Sequence, residues 1–162
     1  MRLRVYVGTT IPRYLTAWPS RDIIRLAEQQ QTALWWARRA EYELVGSELL
    51  LAECADGDPT AAAERLAAVA DLPVLTQKPE AETLAAALVR QVPLPPNAVA
   101  DAKHIALAAV HGIDLLVTWN CRHIANPVLR SRVEAVCRAA GFEPPTICTP
   151  AELLGEHHDE PT

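Results

Sequence analysis

The residues able to do chemistry sit in short, separated stretches of the chain. Glu53 closes an apolar run from Leu49 to Ala52, and Asp101 comes early in an Ala-rich segment whose face continues through Ile105 and Ala108. Two apolar runs of strand character end in polar residues, at Gly8-Thr9-Thr10 and at Thr118-Trp119-Asn120. Carboxylates converging from separate elements are what a hard divalent cation requires, since crowded acids otherwise repel one another. Such an ion supplies a nucleophilic water and relieves the charge that develops on a phosphodiester as it is cut. Each residue also has a plainer reading. Glu53 could be a solvated helical Glu or a capping partner, and Asp101 a helix-dipole partner in a first turn. Asn120 also suits a turn after a strand. His104, at i+3 from Asp101, reaches the same helix face; a buried His bonded to a backbone carbonyl is expected there.

Those positions depend on the elements that hold them. Strands are expected at Leu3 to Val7, Leu44 to Gly46, Leu72 to Leu75, Asp114 to Thr118 and Pro145 to Cys148, with Pro73 placing the third at an edge or a strand start. The stretch from Asp114 to Thr118 is the strongest buried-strand pattern, and Asp114 only starts it. Helices are expected from about Arg21 to Tyr42, Ser47 to Ala55, Pro59 to Ala70, Pro79 to Gln91, Asn97 to His111 and Pro127 to Ala140. Ser20, Ser47 and Asp58 are the expected N-caps, and Gly112 and Gly141 the expected stops. In the first long helix Ile23, Leu26, Ala27, Gln30, Leu34 and Ala37 are spaced for one inward face. Short strands separated by helices require crossover connections and a mostly parallel sheet covered on both faces. In such sheets the site lies beyond the carboxyl ends of the strands, where both polar endings fall.

With 162 residues, half of them apolar, one domain spanning about residues 1–156 is expected, followed by a frayed tail from His157 to Thr162. No apolar run approaches a membrane span and no signal-peptide pattern opens the chain, so the cytoplasm is the expected address. The four cysteines, Cys54, Cys121, Cys137 and Cys148, form no C-x-x-C pair and read as reduced thiols filling the core. A net charge of −5 excludes a broadly basic nucleic-acid binder but not an acidic site that works on RNA through bound cations. Trp18, Trp35, Trp36 and Trp119 could stack bases, although packing in the core or at a partner interface is expected. Trp35 and Trp36 cannot both face inward on one helix.

Three segments resemble the PIN-domain family, the fold of the VapC-type toxins of toxin–antitoxin pairs. They are Val5-Tyr6-Val7-Gly8-Thr9-Thr10-Ile11-Pro12-Arg13-Tyr14-Leu15, then Leu49-Leu50-Leu51-Ala52-Glu53 with Gly57-Asp58-Pro59, then Ala100-Asp101-Ala102-Lys103-His104-Ile105-Ala106 running on to Asp114-Leu115-Leu116-Val117-Thr118-Trp119-Asn120. The resemblance implies an α/β three-layer sandwich and a metal-dependent ribonuclease using Mg²⁺ or Mn²⁺. It assigns Glu53 and Asp101 to the metal, and Asn120 to the catalytic group at a position that more often holds Asp. It also implies an RNA substrate cut to 5′-phosphate and 3′-hydroxyl ends, a cognate antitoxin, and no membrane; a homodimer is a further expectation. Thr9, Thr10, Arg122 and His123 could contact phosphates, whereas Arg13 reads as a solvated surface cation.

Gly8 departs from this pattern, because it stands where the resemblance wants the first-strand acid. Its plainer reading is a backbone conformation closed to other residues. Replacing it by Asp or Glu is expected to raise Mn²⁺-dependent cleavage. A PIN-derived binding module without turnover is the competing reading that Gly8 favours. An unrelated phosphate binder has no support, since neither G-x-G-x-x-G nor a P-loop is present.

Overall fold

The structure, a computed structural model, describes residues 2–120 and 127–155. Strands and helices alternate in the order β1 (Arg4–Val7), α1 (Thr10–Thr16), α2 (Ile23–Ala37), β2 (Glu43–Ser47), α3 (Glu48–Cys54), α4 (Pro59–Val69), β3 (Val74–Leu75), α5 (Pro79–Gln91), α6 (Val99–Val110), β4 (Leu115–Val117), α7 (Pro127–Ala139), β5 (Thr146–Cys148) and α8 (Pro150–Gly155). Short 3-10 turns occupy Arg39–Glu41 and Pro96–Ala98. The tail from His157 to Thr162, with Cys121, Arg122 and His123, lies outside the described residues.

All five strands run parallel in the order β3-β2-β1-β4-β5, with β1 central. The period-2 alternation of each strand sends its side chains to opposite layers. Tyr6, Val45, Leu116 and Ile147 join Leu84, Leu88 and Ile105 in one core. Val5, Val7, Leu44 and Val117 join Ile11, Trp35 and Leu50 in the other. This is the expected PIN-like α/β sandwich, and its described strands are wholly parallel. Pro73 sits as its sequence requires, just before the edge strand β3, with its carbonyl accepting Gly46 N–H at 2.8 Å. Gly112, at φ 68°, ends α6 in the left-handed region. Asp114 starts β4, its carboxylate accepting Arg4 N–H at 2.8 Å.

The first long helix corrects two expectations. Asp22, not Ser20, is its N-cap, accepting Ile24 N–H at 2.9 Å and Arg25 N–H at 3.0 Å, and the helix ends at Ala37 rather than Tyr42. Most of the stripe expected to face inward faces water instead, with Ile23 83% exposed and Leu34 60% exposed while Leu26 is half-buried. The buried face carries Thr32 and Trp35, the latter 1% exposed. The Thr32 hydroxyl is satisfied there, donating to Glu28 O at 2.7 Å and accepting Trp119 Nε1–H at 2.8 Å. Trp36 is half-buried and packs at the margin of the same core as Trp35. We therefore expect Ile23→Asp and Leu34→Asp each to change unfolding free energy by no more than about 0.5 kcal/mol, and Trp35→Ala to cost about 3–5 kcal/mol. Urea unfolding of the three variants checks this; a cost at Ile23 or Leu34 matching that at Trp35 would contradict it.

Cys54, Cys137 and Cys148 are buried, as expected of core filler. Burial pushes the Cys137 thiol up to about 11, which keeps it protonated and unreactive. Among the described residues no helix is long and apolar enough to cross a membrane.

Candidate metal and phosphate site

The register Val7↔Val117 brings the carboxyl ends of β1 and β4 out together, so Gly8 and Thr118 meet at one edge of the sheet. α3 and α6 add the acids. Ser47 closes β2 and caps α3, accepting Leu50 N–H on its hydroxyl at 3.0 Å; this fixes the start of the helix that carries Glu53. The 3-10 turn at Pro96–Ala98 leads into α6, placing Asp101 in its first turn. A cleft of about 100 Å³ results, lined by Gly8, Thr9, Glu53, Asp101, His104 and Asn120 among others. Glu53 and Asp101, from separate helices, thus reach the same pocket. A larger apolar groove of about 720 Å³ between α5 and α6 shares no residue with this cleft.

Glu53 is the most constrained group. Its Oε2 accepts the Thr9 hydroxyl, and its Oε1 lies 3.0 Å from His104 Nε2. Burial pushes its carboxyl upward, but the His104 ring, the Thr9 hydroxyl and the Arg13 guanidinium outweigh that and hold it below the ordinary glutamate range. The carboxylate is charged at neutral pH. A depressed folded value contributes stability above the unfolded value, and that stability is lost as pH falls through the folded one. The unfolding free energy of the parent minus that of Glu53→Gln should therefore be largest near neutrality. It should shrink as pH drops below about 4.3, the ordinary glutamate value. A difference that grew on acidification, in urea titrations at stepped pH, would contradict the assignment.

The remaining candidates divide. Asn120 lines the cleft and is exposed, its backbone N–H donating to Thr118 Oγ1 at 3.0 Å. Thr10 also lines the cleft but is buried: its hydroxyl accepts Trp119 N–H at 2.9 Å and lies 3.3 Å from Thr118 Oγ1, tying α1 to the end of β4. The Thr9 hydroxyl is committed to Glu53. Arg13, read from sequence as a surface cation, is exposed but lines the cleft and acts on Glu53. His104 is buried as expected, yet it bonds Tyr6 and Glu53 rather than a backbone carbonyl. The sequence reading passed over Tyr6 and gave Ser47 only as the N-cap of α3, which it is. A tyrosine inside the apolar run of β1 was the available signal, because a buried phenol needs a hydrogen-bond partner. Trp119 stacks on Tyr14 with centroids 6.0 Å apart, whereas Trp18 is 93% exposed.

Gly8 owes its identity to a close approach and not to its torsions, since its φ is not positive. Its N–H donates to Val117 O at 2.8 Å, and a Cβ added here would stand 2.8 Å from that same carbonyl oxygen and 3.0 Å from Thr118 Cβ. The two carboxylates and the Thr and Asn oxygens beside them are hard donors of the kind one divalent cation completed by water accepts, although Ile105, Leu116 and Ile147 also line the cleft. Among the described residues no group of three or more His, Cys, Asp or Glu could hold a metal ion, so a cation here would rest on two carboxylates and water.

No protein-family model matches the chain, and no curated protein matches it. Among solved structures it is similar to a chain in the crystal structure of VapBC2 from Rickettsia felis bound to a DNA fragment from their promoter. The TM-score is 0.51 at 12% sequence identity, over 91% of this chain and 98% of that chain. At that identity the likeness bears on the fold, and it agrees with the PIN-like architecture.

Proposed function

We propose that the protein is a divalent-metal-dependent endoribonuclease of the toxin type, working with one Mg²⁺ or Mn²⁺ held by Glu53 and Asp101. The observation that supports this is that Glu53 and Asp101, from separate helices, both line one cleft at the carboxyl edge of the sheet. A cation bound there would supply Lewis acidity and an activated water for phosphodiester hydrolysis. The chain's own residues do the rest. Thr9 and His104 hold Glu53 in place, Asn120 presents an amide at the cleft mouth to orient a phosphate or a water, and Arg13 adds positive charge for the RNA backbone. The likeness to a VapBC2 chain supports a protein partner, an antitoxin, in addition to RNA. The solvent-facing stripe of Ile23 and Leu34 on α2, with exposed Trp18 nearby in sequence, supplies apolar surface for such a contact or for a second copy.

The missing third acid supports a second reading, a PIN-derived module that binds RNA or a partner without turnover. Cleavage of a mixed RNA pool with Mn²⁺ or Mg²⁺, against a chelator control, separates the two. The nuclease reading expects metal-dependent fragments with 5′-phosphate and 3′-hydroxyl ends. An RNA pool left intact at saturating Mn²⁺ would overturn it in favour of the binding module.

A further inference from the structure

We infer that His104 is a positioning residue for Glu53, aimed in turn by Tyr6 and Ser47, so that the carboxylate is presented to a cation in one fixed orientation. This rests on the metal-binding reading above and adds an outer layer to it. The observation is a continuous run of hydrogen bonds through four elements. Leu50 N–H donates to Ser47 Oγ at 3.0 Å; Ser47 Oγ lies 2.6 Å from the Tyr6 phenol; the phenol lies 2.6 Å from His104 Nδ1; and His104 Nε2 lies 3.0 Å from Glu53 Oε1. Tyr6 on β1 is fully buried, as is Ser47 at the end of β2, and His104 on α6 is nearly so.

Donor counting gives the run a direction. A carboxylate oxygen only accepts, so Nε2 must carry the proton that faces Glu53. A ring carrying that one proton leaves Nδ1 as an acceptor, which takes the Tyr6 O–H; a doubly protonated ring would instead donate from Nδ1 to the phenol oxygen, and in both cases Nε2–H faces Glu53. In the first case the phenol oxygen is free to accept the Ser47 hydroxyl proton, while Ser47 Oγ accepts from Leu50. Every group has its partner. Run the other way, a neutral ring would set the bare Nε2 lone pair against the carboxylate at 3.0 Å. The ring plane is also fixed, edge-on to Tyr6 at 70° with centroids 5.4 Å apart. The Ser47 hydroxyl therefore has two tasks: it caps the helix that carries Glu53, and it starts the run that orients that residue's carboxylate. Outer partners of this kind set the tautomer and angle of the groups that touch a metal, and their loss lowers metal affinity about 10–100-fold.

The test joins a tautomer measurement with Mn²⁺ binding. Nitrogen NMR of the His104 ring in the parent should show the neutral Nε2–H tautomer, and Tyr6→Phe, which keeps the buried ring volume, should shift it toward a mixture. Mn²⁺ titration should show affinity down by about 10–100-fold in Tyr6→Phe and in His104→Leu. His104→Gln, whose amide can still donate to Glu53 Oε1, should recover much of it. Circular dichroism verifies folding, and Tyr6→Phe and His104→Gln carry the test should His104→Leu not fold. An Nδ1–H tautomer in the parent would overturn the inference. So would variants that melt lower yet bind Mn²⁺ like the parent, a purely structural outcome under which the metal reading survives. A parent with the Nε2–H tautomer that binds no Mn²⁺ would instead remove the metal reading, and this inference with it.

Discussion

Glu53→Gln and Asp101→Asn are each expected to lower Mg²⁺- or Mn²⁺-dependent RNA cleavage by roughly a hundredfold or more, with the double variant no worse than either single one. Both parts follow from the cleft. Two carboxylates reach it, so removing either charge leaves a hard cation with one anionic ligand and otherwise neutral oxygen donors. A group that works only as half of a pair has nothing left to lose once its partner is gone, which is why the effects should not multiply. Neither change needs to disturb the fold, since both residues are only partly buried and both substitutions keep side-chain size. Single-turnover rates on one RNA, for parent, singles and double, measure the pattern. Losses that multiplied would mean two separate roles and no shared ion, and a single variant with parental rates would remove that residue from the site.

Gly8→Asp is expected to destabilise the protein and to leave cleavage no faster than in the parent. The sequence pattern alone points the other way, because an acid at this position would complete the cluster of carboxylates that the resemblance implies. The structure opposes it through a backbone contact. The added Cβ would meet Val117 O at 2.8 Å, an atom tied into the β1–β4 pairing that a side-chain rotation cannot move. Relief requires the ends of β1 and β4 to part, and overpacking of this kind costs about 1–3 kcal/mol. Those same ends carry Thr9, which holds Glu53, and Thr118, whose hydroxyl accepts Asn120 N–H. Gly8→Ala isolates the steric part and should show much of the same loss in urea unfolding. An Asp variant as stable as the parent and cleaving faster would show that the gap at Gly8 is an acid simply lost.

The alternation of short apolar strands with helices was legible because its physics is local. The alternation of strand side chains between two cores, Pro73 at an edge strand and the stop at Gly112 all follow from neighbouring residues. That Glu53 and Asp101 line one cleft was legible at one remove, through the rule that parallel sheets place their sites beyond the carboxyl edge. What was not legible depends on contacts distant in sequence. The stripe from Ile23 to Leu34 has helical spacing whichever way it faces. Its direction was decided by the volume of Trp35 and by the bond from Trp119 to Thr32, residues on different elements. Gly8 reads alike as a torsional glycine, a lost acid or a close approach, until Val117 is placed against it. His104 was legible as buried, but its partners come from β1 and α3, and no local pattern announces them.

Anomalous diffraction from crystals equilibrated with Mn²⁺ asks directly whether the two acids share an ion. The expected result is a single peak between the Glu53 and Asp101 carboxylates, absent in crystals of Asp101→Asn. A saturated crystal with no peak in that cleft, or with its peak on other residues, would contradict the account.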